Sequence, residues 1–210
     1  LALEPDSARA LLARADVRSL TEDVDGALAD LERARALAPN EPVLVEKRAT
    51  LLLRLGRSTE ASVAAQQLLA RQPAHPGARW ILAQVALSER RPQAAEEHCV
   101  HGLRSAGIGL DDRVSLLTAL AQARLLLGRP LEALHAADEA LAGRPDDTTG
   151  LAMRASAKLR LGDQDGALAD LDRAIAAEDE NADLFFSRAQ VQALRGEGAL
   201  GVADRRGDLA

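Results

Sequence analysis

Apolar residues recur along the chain at the three- and four-residue spacing of amphipathic helices, and no stretch alternates with period two. The stripes come in pairs. Segments 6–20 and 23–37 form the first pair, followed by 41–55 with 58–71, 76–89 with 92–105, 112–127 with 130–143, and 147–161 with 164–177. A last stripe covers 182–195. This pattern predicts an all-α chain of helical hairpins without a sheet. Gly56, Gly128, Gly162 and Gly196 close the first helix of their pairs, where a left-handed residue costs glycine little. Asp6, Asn40, Asp147 and Asn181 stand where a side-chain oxygen can accept an orphan helix N–H. Pro42 and Pro130 fall in first turns, where a missing N–H is harmless.

The pairs themselves repeat. Alanines at 15, 49 and 83 are 34 residues apart, and those at 121, 155 and 189 continue the series after an insertion of four. Ala27, Ala61, Ala95, Ala133 and Ala167 keep the same phase, as do the closing Pro39, Pro73 and Pro145. Gly107 and Asp179 take the place of the missing prolines. A fixed period of this length is the signature of stacked supersecondary units, each packing on its neighbours. The insertion falls in 107–112, which predicts a longer connection beside a lengthened helix, with Asp111 and Asp112 capping the helix that follows. Pro5 lies 34 before Pro39, so residues 1–5 read as the remnant of a preceding repeat. Past Gly196 the pattern decays, and 198–210 reads as a degenerate cap or frayed tail. Asp204, Arg205, Arg206 and Asp208 supply the polarity a terminal cap needs.

Paired helices at this period, with small residues at three fixed places and a closing proline, resemble the tetratricopeptide repeat. The small places are Ala15, Ala27 and Ala34, then Ala49, Ala61 and Leu68, then Ala83, Ala95 and Gly102. They continue as Ala121, Ala133 and Ala140, then Ala155, Ala167 and Ala174. The resemblance implies a right-handed superhelical solenoid of about six repeats. Its units would be about 8–41, 42–75, 76–113, 114–147 and 148–181, with a partial unit at 182–197. The family's large aromatics are mostly replaced: Leu11, Val45, Leu117 and Leu151 stand at the first such place, and only Phe185 keeps the ring. Arg14, Arg48, Arg154 and Arg188, each just before a small alanine, are expected to lay their stems over the packing and keep their charges wet. The related Sel1-like repeat has a longer period and fits less well.

The resemblance also implies a concave groove lined by the first helices. In the family's register that groove receives Asp16, Glu46, Thr50, Trp80, Gln84, Thr118, Gln122, Ser156, Phe186 and Gln190. Trp80 and Phe186 read as apolar anchors for a peptide. The polar row from Asp16 to Gln190 reads as a ladder for hydrogen-bonding an extended backbone, or else as side chains that keep the groove wet. Lys47 lies near the family's carboxylate-binding place, but no Asn or second Lys joins it.

Composition narrows the function classes. The net charge of −6, with charges interspersed, lacks the basic stripe that nucleic acid requires. Lysine occurs only at 47 and 158 beside many arginines, a bias that points to a GC-rich bacterial genome. No uncharged apolar run approaches the ~20 residues of a membrane span. Cys99 is the single cysteine, so no internal disulfide forms, and either a cytoplasmic or a periplasmic location is compatible. His98 and His101 flank Cys99, but the cysteine falls on the buried face and no fourth ligand lies nearby, so no metal site is expected. His75 and His135 read as ordinary surface residues. Gly107-Ile108-Gly109 lacks the third glycine and the strand of a dinucleotide loop, and no nucleophile has a base at useful spacing. The expected function is therefore a non-catalytic, cofactor-free adaptor that binds a protein or peptide in its groove, with self-association through exposed repeat ends. Two alternatives are a structural subunit that assembles through repeat ends or the convex face, and a substrate-presenting arm of a larger enzyme.

Overall fold

The computed structural model describes residues 7–39 and 41–207, with side chains as far as 196. Among these residues there are eleven helices and no strand. They are α1 (Ala8–Leu20), α2 (Val24–Leu37), α3 (Pro42–Arg54), α4 (Ser58–Arg71), α5 (Pro76–Ser88), α6 (Pro92–Leu103), α7 (Leu110–Leu126), α8 (Pro130–Gly143), α9 (Thr148–Arg160), α10 (Gln164–Ala177) and α11 (Ala182–Gly207). The helices form two compact units, with α1–α6 in the first and α7–α11 in the second. Within each unit every helix packs on the next in sequence, and α3 also meets α5 as α7 meets α9.

Small residues decide how closely these helices approach. Ala15, Ala49, Ala83, Ala121 and Ala155 are all buried, as are Ala27, Ala61, Ala95, Ala133 and Ala167. Larger residues then fill the space between hairpins. Leu11, Leu31, Leu44 and Leu51 make one cluster, and Leu52, Leu68, Ile81, Leu82 and Val85 a second. In the second unit Leu141, Leu151, Leu171, Leu184 and Val191 make another.

The turns show where the sequence signals hold and where they fail. Gly56, Gly128 and Gly162 adopt φ of 71°, 72° and 89°. Two non-glycine residues at the same register places, Glu22 and Arg90, do so as well, at 61° and 56°. Left-handed backbone costs an L-residue about 1–2 kcal/mol. Arg90→Gly is therefore expected to stabilise the protein by about 1 kcal/mol, read as a higher denaturation midpoint at unchanged slope. Gly196 differs: it lies inside α11, which runs on to Gly207 instead of ending near 195. Residues 198–207 thus continue that helix, and Asp208 lies outside the described residues.

Caps account for most of the helix starts. Asp147 accepts from Gly150 N at 2.7 Å, and Asn181 from Asp183 N at 3.2 Å. Asp6 and Asn40 lie outside the described residues, and Ser7 caps α1. Asp23 and Asp163 cap second helices by accepting from Gly26 and Gly166 at 3.0 and 2.8 Å. A Cβ on either glycine would stand 2.2 or 2.1 Å from the carboxylate, so the glycine lets the carboxylate fold closely over the first turn. The four-residue insertion adds close to one turn at the start of α7, which leaves the register of its faces unchanged. Gly109, and neither aspartate, is the N-cap of α7; Asp111 and Asp112 sit in its first turn, where the helix dipole favours them.

The arginines before the small alanines stay partly in water, Arg14 at 44% and Arg188 at 32% exposure, but they are also paired, which the sequence did not show. Their heads close onto carboxylates of second helices. Asp30, 2% exposed, accepts from Arg14 at 2.6 and 2.7 Å and from Arg18 at 2.8 Å. Asp170, 3% exposed, accepts from Arg154 at 2.6 and 2.8 Å and from Lys158 at 2.7 Å. Arg48 pairs with Glu32, and Arg188 with Asp172 at 3.1 Å.

Candidate functional site

In the first unit the groove register falls on α1, α3 and α5. Trp80 is half-buried, and its ring packs against the cluster of Leu52, Ile81 and Val85. That backing fixes the indole while leaving part of it open. Gln84, one turn further along α5, is also half-buried. The acidic members are already engaged. Asp16 binds Lys47 Nζ at 2.6 Å, which ties α1 to α3 and neutralises both charges. Glu46 lies 3.8 Å from His75 Nε2 and leans across the start of α5, where a Cβ on Gly77 would come within 1.9 Å of its carboxylate. The Thr50 hydroxyl donates to the Glu46 carbonyl at 3.1 Å.

In the second unit the register falls on α7, α9 and α11. Thr118 is 7% exposed and donates to the Ser115 carbonyl at 3.0 Å, so it belongs to the packing of α7 and offers little to a partner. Gln122 is exposed and Ser156 half-buried. Arg160 reaches across to the Leu125 carbonyl at 2.8 Å and ties α9 to α7. Phe186 is 65% exposed and Gln190 exposed. The side-chain amides of Gln84, Gln122 and Gln190 make no hydrogen bond within the described residues. Of the polar row, these three amides and the Ser156 hydroxyl carry donors and acceptors that make no hydrogen bond among the described residues.

The histidines divide by environment. Cys99 is fully buried, His101 exposed, and His98 half-buried with its Nδ1 unbonded among the described residues. Burial pushes the His98 imidazole below the usual histidine range, and the nearby Arg79 charge adds to this. His75 has a role that the sequence reading missed: its Nδ1 accepts from Ala78 N at 3.3 Å and caps α5. The signal was available, since His75 stands at the register place of Ser7, Asp147 and Asn181. A cavity of about 410 Å³ lies elsewhere in the first unit, between Arg35 and Arg71 in the last turns of α2 and α4, with Val45 and Leu68 among its lining. None of the ten groove residues lines it.

The sequence model described as Tetratricopeptide repeat matches residues 46–99. Among solved structures, a thermophilic TPR protein from Thermus thermophilus superposes with a TM-score of 0.76 at 21% identity, covering 89% of this chain and 99% of that one. The APC/C hetero-tetramer Cut9-Hcn1 gives 0.79 at 17% identity over 90% of this chain and 37% of that one. YrrB, described as a TPR protein with an unusual peptide-binding site, gives 0.54 at 16% identity over 89% and 94%. No curated protein sequence matches this one.

Proposed function

We propose that this chain, which has the tetratricopeptide repeat fold, is a non-catalytic binding module in which the first helices of each unit, taken by itself, receive an extended segment of a protein partner. Repeats of this family generally serve as protein–protein interaction scaffolds, and the peptide-binding site named for YrrB supports the same use here. The observation that carries the reading is the unused amides, Gln84 on α5 of the first unit and Gln122 and Gln190 on α7 and α11 of the second. An amide offers a donor and an acceptor together, which is what a peptide backbone needs, and it reads no side chain. In the first unit Gln84 is joined by Trp80, whose core-backed ring supplies an apolar platform at small entropic cost. In the second unit Phe186 stands one turn before Gln190 and offers an apolar surface beside that amide. The chain spans 37% of the Cut9-Hcn1 chain it matches, so the activity of any larger protein containing these repeats is a separate question.

The test uses an unstructured peptide library displayed on phage, with the tightest binder titrated against the chain. Trp80 is the only tryptophan, so its emission reports binding directly. Trp80→Ala is expected to weaken binding at least tenfold, which is about 1.4 kcal/mol. Gln84→Ala should cost about 0.5–1.5 kcal/mol, the worth of one neutral hydrogen bond. Glu97→Ala, on the exposed side of α6, should change neither affinity nor helicity. Binding that leaves Trp80 emission unmoved and tolerates both groove substitutions would place the contact on another face.

A further inference from the structure

We infer that the second half of α11 exchanges between two copies of this chain, so that each copy completes the last repeat of the other. The inference starts from a triplet. Gly26-Ala27-Leu28 and Gly166-Ala167-Leu168 open second helices, and Gly198-Ala199-Leu200 repeats the same three residues. In the two complete repeats the triplet stands four positions after the left-handed residue that ends the first helix, Glu22 or Gly162. In the last repeat it stands two positions after Gly196. Two residues of the turn are missing, and with them the capping aspartate that Asp23 and Asp163 provide elsewhere.

The backbone follows from that deletion. A hairpin turn here needs one left-handed residue to end the first helix and a cap to start the second. With neither step available, α11 continues through Gly196 as one helix of 26 residues, twice the 13 of α9. A straight helix cannot fold back on itself, so the face that a second helix covers in every other repeat is left open. Ala189 is exposed, whereas Ala15, Ala49, Ala83, Ala121 and Ala155 at the same place are buried. Phe185 is 39% exposed, whereas Leu11 and Leu151 at its place are 1% and 0% exposed.

The helix that fits this face is encoded by the chain itself. Antiparallel pairing of two copies of α11 sets Ala189 of one beside Ala199 of the other, as Ala155 of α9 and Ala167 of α10 are both buried in the neighbouring repeat. The arrangement is two-fold and closed, since each copy gives the segment that it takes. That pairing puts the two-fold axis level with residue 194 along the helix. Gly196, seven residues and close to two turns after Ala189, lies on the same face as Ala189, where the missing side chain permits close approach. At Gly196 an added Cβ would meet nothing within 4 Å among the described residues, so the backbone there is open to close approach. Shortened hinge turns are a general route to such exchange.

Sedimentation equilibrium tests the inference. The chain should run at twice its 22.2 kDa mass. Inserting Asp-Gln between Gly196 and Glu197 restores the spacing of Gly162–Gly166 and should return a monomer. Ala189→Glu places a charge on the shared face and should raise the dimer dissociation constant at least tenfold. Ala189→Cys mixed with Ala199→Cys should cross-link between copies on mild oxidation, while the native Cys99, fully buried, stays out of the reaction. A monomeric chain at every concentration overturns the inference. So does a dimer indifferent to both the insertion and Ala189→Glu, which would join through another surface. A helix supplied by a different protein would appear as a monomer that the partner alone converts to a heterodimer, and would overturn it too.

Discussion

Asp170→Ala is expected to destabilise the second unit by about 1–3 kcal/mol, because removing the buried carboxylate leaves Arg154 only its pair with Asp138 at 3.1 Å and Lys158 only the Gly166 carbonyl at 3.4 Å. Asp170 is 3% exposed and holds both Arg154 and Lys158. The comparison that isolates this cause lies in the other repeats. At the place of Asp170 the second and fourth repeats carry Ala64 and Ala136, and the third repeat puts Leu82 and Ala86 at the places of Arg154 and Lys158. Combining Asp170→Ala with Arg154→Leu and Lys158→Ala should therefore recover most of the loss, since packed apolar groups replace buried ion pairs at little or no cost. Denaturant midpoints of the single and triple variants check this; equal losses in both would mean that the carboxylate acts through something other than its two cations. Acid gives an independent reading. Burial works to raise the Asp170 carboxyl, but the hydrogen bonds from Arg154 and Lys158 outweigh it, and the group sits below the ordinary value of 3.8. The Arg14 hydrogen bond lowers Asp30 in the same sense, against the effect of burial. A carboxyl lowered in the folded state gives its full stability above the ordinary value and loses it as pH falls through the folded one. The deficit of Asp170→Ala against the natural chain should accordingly shrink below about pH 3.8.

The second large effect is expected at a helix crossing. Ala83 is fully buried on α5, where α5 packs against α6. Ala83→Leu adds three carbons where the helices leave no room for them, and overpacking of this kind costs up to about 3 kcal/mol. The neighbouring Gln84→Leu puts the same volume on a half-exposed face and should leave stability within about 0.5 kcal/mol. A shared midpoint for the two variants would mean that the register assigned to α5 is rotated.

Some features of this chain are set by local chemistry, and these were readable from one sequence. The helix boundaries fall within a few residues of the periodic stripes because caps, left-handed glycines and first-turn prolines act on their own neighbours. The small-residue series could be read for a similar reason: an identical unit stacked at a fixed period meets an identical neighbour each time, so one contact predicts the rest. Even the insertion was legible as a longer α7, since four residues make close to one turn.

The candidate site was legible as a set of positions and not as a chemistry. Asp16 and Lys47 are 31 residues apart, and nothing local says that they pair; the packing of α1 and α3 on α2 brings them to 2.6 Å. Thr118 shares its register place with Trp80 and Phe186, yet it is buried, because exposure depends on which neighbouring side chains rise above it. The arginine heads were expected in water, but hairpin packing brings acids sixteen positions away within reach, as with Arg14 and Asp30 or Arg154 and Asp170. Gly196 was expected to end its helix as its counterparts do, and the loss of two turn residues removed the cap that makes reversal possible. The sequence by itself therefore determined the helices, their pairing and the places where they touch, because those depend on interactions a few residues long or on a repeat of known period. The tertiary structure alone decided which polar groups are spent on the fold and which remain for a partner, because that balance is struck between side chains far apart in the chain and close only once the helices have packed.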